Sequence, residues 1–107
     1  MGIHGELVGS DGRAMRLPDP AGGTFDAAGD FDELLPADPA GYPLLSRVDS
    51  FGETVFVPAD MDELLREIDR LLPTSHPGPQ RRGLLRLRAL AARCERSPGS
   101  IIRFVGD

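Results

Sequence analysis

Arginine supplies every basic side chain in this sequence: the twelve Lys+Arg positions are all arginine, against seventeen Asp and Glu. A guanidinium fork grips carboxylate or phosphate through paired hydrogen bonds, so arginines gathered on one face would bind anions. Arg82, Arg86 and Arg93 fall on one side of a helical wheel, with Arg81 and Arg96 close by. The carboxylates concentrate elsewhere. Residues 1–72 hold fifteen Asp/Glu against five Arg, a net of −10, whereas residues 73–107 carry a net of +5. Asp60, Asp62, Glu63, Glu67 and Asp69 cluster on or beside one predicted helix, and Asp26, Asp30, Asp32 and Glu33 precede it. Such a cluster offers an acidic surface to a basic partner.

Other constellations carry less chemistry. The acidic run from Asp26 to Glu33 lacks the alternating carboxylates, central glycine and distant bidentate Glu of a calcium loop, and reads better as a solvated loop with a helix cap. His4 and His76 have no Cys or His at zinc-ligand spacing. Ser75 and His76 could join a triad only with a distant Asp, and no nucleophile-elbow motif supports one. Gly22-Gly23 and Gly9-x-x-Gly12 match neither a phosphate loop nor a dinucleotide fingerprint. Cys94 shares the apolar side of its helix with Leu84, Leu87 and Ala91, which predicts a buried thiol. The residues imply no catalytic group, metal or cofactor.

With 107 residues and 40% apolar content, the chain has the size and composition of one globular domain, residues 1–107. Gly and Pro together number 23, which predicts many turns. One cysteine allows no internal disulfide. The start, Met1 to Glu6, shows neither a basic n-region nor an apolar h-region, and no apolar run has membrane-spanning length; both point to the cytoplasm. The net charge of −5 and the lack of interleaved aromatics argue against nucleic acid.

The elements that must position these side chains follow from periodicity and turn signals. Asp11-Gly12 between short mixed runs predicts a hairpin with strands near 2–8 and 13–17. Residues 18–42 read as irregular, with one helical turn at Asp30–Leu35 and with Phe25, Phe31, Leu34 and Leu35 docked on the core. A second hairpin is expected over 43–57, Leu44, Leu45 and Val48 entering a turn at Asp49–Gly52 and Val55, Phe56 and Val57 leaving it, with positive φ available at Gly52.

Leu64, Leu65, Ile68, Leu71 and Leu72 recur at helical spacing after Asp60, an expected N-cap with Glu63 three residues on. Asp62 is placed to pair with Arg66, and Glu67 with Arg70. A stiff connector and a second helix from about Arg81 to Arg96 follow, then a strand from Ile101 to Val105. The order predicts an α+β fold: a small antiparallel sheet of two hairpins plus a C-terminal strand, with two helices packed on one face.

Tyr42-Pro43-Leu44-Leu45-Ser46-Arg47-Val48-Asp49, then Gly52-x-Thr54-Val55-Phe56, and the terminal Arg103-Phe104-Val105-Gly106-Asp107, resemble a small family of uncharacterised proteins of high-GC bacteria. The resemblance covers under half the chain and implies a compact domain without an assigned activity.

The sequence-level expectation for function is therefore a non-enzymatic protein-binding module. It would contact a protein partner through Asp60, Asp62, Glu63, Glu67, Asp30 and Asp32, and an immunity or antitoxin-type inhibitor is one specific form. The alternative is a small-ligand sensor, for an anion or nucleotide, using Arg82, Arg86 and Arg93. Opposite charge in the two halves also suits a homodimer, with the terminal strand extending a sheet across the interface.

Overall fold

The strand nearest the C-terminus lies at the centre of the sheet. The computed structural model describes residues 3–14, 39–49 and 51–106. Within them β1 (Ile3–Val8), β2 (Glu53–Phe56) and β3 (Ile101–Gly106) form a three-stranded antiparallel sheet in the order β1-β3-β2. β3 pairs along its length with β1, Leu7 opposite Ile102 and Gly5 opposite Phe104, and on its other side with β2, Thr54 opposite Phe104 and Phe56 opposite Ile102. Both edges of β3 are thus occupied, so it cannot extend the sheet across a dimer interface as expected.

The strands alternate as a half-buried sheet should. Leu7, Phe56, Ile102 and Phe104 are wholly buried on one face, and the Phe56 and Phe104 rings meet edge to face at 6.1 Å. On the opposite face Arg103 stands between two carboxylates. Its Nε lies 2.8 Å from Glu53 Oε2, in ion-pair contact without hydrogen-bond alignment, and its Nη1 lies 3.8 Å from Glu6 Oε1. Partial exposure of all three makes this a weak cross-strand ladder.

Two helices complete the core on the buried face. α1 (Met61–Leu71) contributes Met61, Leu64, Ile68 and Leu71, and α2 (Pro79–Glu95) contributes Leu84, Leu87, Leu90, Ala91 and Cys94. α2 lies against β1 and β3, and α1 packs on α2. α2 starts two residues before the expected Arg81, because Pro79 fits the first helical position, where no N–H is needed.

The two expected hairpins have different outcomes. In the first, the turn after β1 is present: Gly9 N–H donates to Arg13 O at 2.8 Å, Gly12 takes φ +82°, and Ala14 makes a single bridge to Val8. The rest of its second strand lies outside the described residues, as do the expected helical turn at Asp30–Leu35 and Phe25, Phe31, Leu34 and Leu35. The second hairpin is corrected. Leu45–Arg47 is a 3-10 turn, not a strand, and β2 pairs with β3 instead.

Gly52 does not use a positive φ. Its carbonyl accepts from Gly106 N–H at 2.8 Å, and a Cβ there would sit 2.6 Å from Asp49 Oδ2. Gly99 does take φ +82°, in the turn between α2 and β3, packed against Ser10. Among the described residues, no helix is long and apolar enough to cross a membrane.

Candidate functional site

The acidic side chains of α1 take different roles from those their spacing suggested. Glu67 is wholly buried. Its carboxylate accepts from Leu44 N–H at 3.1 and 3.0 Å and from Leu45 N–H at 3.0 Å. These amides open the Leu45–Arg47 turn and would otherwise lack acceptors, so a carboxylate from a helix more than 20 residues away caps them. The expectation that Glu67 belongs to a partner surface is corrected: it anchors one part of the fold to another. Its expected mate Arg70 instead donates to Gly41 O at 2.6 Å and lies over the Tyr42 ring.

The expectation that Asp60 caps α1 is corrected as well. Asp60 adopts helical backbone angles and makes no side-chain cap to α1. A 3-10 turn, Pro58–Asp60, leads into the helix, and Asp60 Oδ2 reaches back to accept from Val57 N–H at 2.9 Å. That is the back-bonding half of a capping box, set three residues earlier than predicted.

Asp62 does remain at the surface, paired with Arg66 at 3.0 Å as its spacing predicted, and Glu63 is half-buried beside it. Asp69 holds Arg88 at 2.8 Å; that hydrogen bond, and then the nearby charge, raise the Arg88 pKa above its ordinary value. Asp30 and Asp32 lie outside the described residues.

The arginines of α2 are not one solvated stripe. Arg93 is exposed, Arg82 is half-buried and engaged, and Arg86 is 1% exposed and likewise engaged. Arg86 follows buried Gly83 by three residues and precedes buried Leu90 by four, so it flanks the buried stripe rather than opposing it. A guanidinium held this deep belongs to the fold, and the placing of Arg86 on a solvent-facing anion site is corrected. Arg81 donates to Ser75 O at 2.8 Å and to Ser75 Oγ at 3.2 Å, while that hydroxyl donates to Leu72 O at 2.6 Å. Ser75 is thereby tied into the connector, and His76 beside it is exposed.

Cys94 is buried as expected. Burial pushes its thiol up from the ordinary value, the Ser100 hydrogen bond partly opposes this, and Asp60 adds to the rise. A thiol held protonated is a poor nucleophile. Among the described residues, no group of three or more His, Cys, Asp or Glu is placed to hold a metal ion.

One surface feature escaped the sequence reading. Phe51 is 81% exposed. The residues beside it are hydrogen-bonded: Phe51 N–H donates to Asp49 Oδ1 at 2.9 Å, Asp49 N–H to Thr54 Oγ1 at 2.9 Å, and Thr54 Oγ1 to Arg47 O at 3.2 Å. An aromatic residue at the tip of an Asp-Ser-x-Gly turn was the available signal, since turn chemistry alone asks for no ring there. Val57 and Leu85, each 43% exposed, are ordinary surface aliphatics. Comparison with protein-family models, curated proteins and solved structures finds no match to this chain.

Proposed function

We propose that this chain is a non-enzymatic protein-binding module. The observation that supports the reading is Phe51, 81% exposed between residues joined by side-chain hydrogen bonds. An aromatic side chain orders only two rotatable bonds on association, and aromatic anchors dominate many protein interfaces. Asp62 and Glu63 on α1 supply carboxylates for orienting a basic partner, and Asp30 and Asp32 join them on sequence grounds alone. An immunity or antitoxin-type inhibitor, matching a basic cleft, is the specific form we favour.

The burial of Arg86 leaves less of α2 available to an anion, so the sensor reading gains no support. Affinity purification from source lysate with the whole chain, and in parallel with Phe51→Ala and Asp62→Arg, tests the proposal. A protein enriched by the wild type and depleted with the variants supports it. No specific protein partner at low or moderate salt overturns it.

A further inference from the structure

We draw no further inference here: the strongest candidate, the outer edge of β2 beside the exposed Phe51, belongs to the surface already proposed for binding, and nothing in the structure shows what covers it.

Discussion

Removing the Glu67 carboxylate leaves the Leu44 and Leu45 amides without the acceptor that caps them. Hydrogen bonds to a charged group are each worth about 1.5–3 kcal/mol, and buried amides left unmatched add a desolvation cost. Glu67→Ala should therefore destabilise the fold by about 3 kcal/mol, and Glu67→Gln, which keeps one acceptor, by about half that. Urea midpoints for the two variants check this; a silent Glu67→Ala would return the side chain to the surface.

Arg86 invites the same test. Reversal to Glu should cost at least about 3 kcal/mol, because it puts the wrong charge in a buried site. Neither role was legible in the sequence. A helical wheel sorts charged residues outward by default, and it holds no sign that a distant backbone segment will demand a carboxylate.

Cys94 was legible, since its apolar neighbours place it inside. The folded chain holds the thiol proton more tightly than the unfolded chain, whose ordinary value is 9.0. The thiol's stabilising contribution is therefore present below that value and is lost as pH rises through it and beyond. Cys94→Ala should flatten the alkaline loss of stability, read from urea midpoints at about pH 8 and about pH 10.

At the scale of elements, helices and loops differ in what the sequence exposes. α1 and α2 were readable because leucines at 3.6-residue spacing admit few alternatives. Leu44–Val48 was not, because a short apolar run fits a strand or a buried turn equally well. What decides for the turn is Glu67, from another element. The sheet order was hidden for a related reason: Ile101–Val105 announces a buried strand but not which neighbours will flank it.

The start of α1 was half legible. Asp60 is a capping residue by type and position, yet the 3-10 turn shifts its partner to Val57. Asp60→Ala should still cost about 1 kcal/mol, since one N–H loses its acceptor either way. Asp60→Asn should cost less, because an amide oxygen can replace the carboxylate. Thermal melts of both variants separate this back-bond from a charge effect at the helix start: if only charge mattered, Asn and Ala would be equally destabilising.

For the molecule as a whole, the acidity is spread unevenly along the sequence. Residues 15–38 alone hold six carboxylates and one arginine. The acidity read from the sequence is therefore only partly a property of α1, where Asp62 and Asp69 already have arginine partners and Glu67 is internal.

This division gives the partner hypothesis distinct expectations for different residues. Phe51→Ala should weaken partner binding about tenfold or more, the loss typical of an aromatic anchor, with little change in melting temperature because the ring is already in water. Asp62→Arg should weaken binding less, and most clearly at low salt, because an exposed charge acts mainly on encounter. Arg93→Glu should leave both affinity and melting temperature nearly unchanged. Titration calorimetry at two salt concentrations against the purified partner, beside thermal melts of the same variants, measures all of these. If Arg93→Glu abolished binding while Phe51→Ala and Asp62→Arg were silent, the contact would lie on α2, and the anion-binding reading would replace this one.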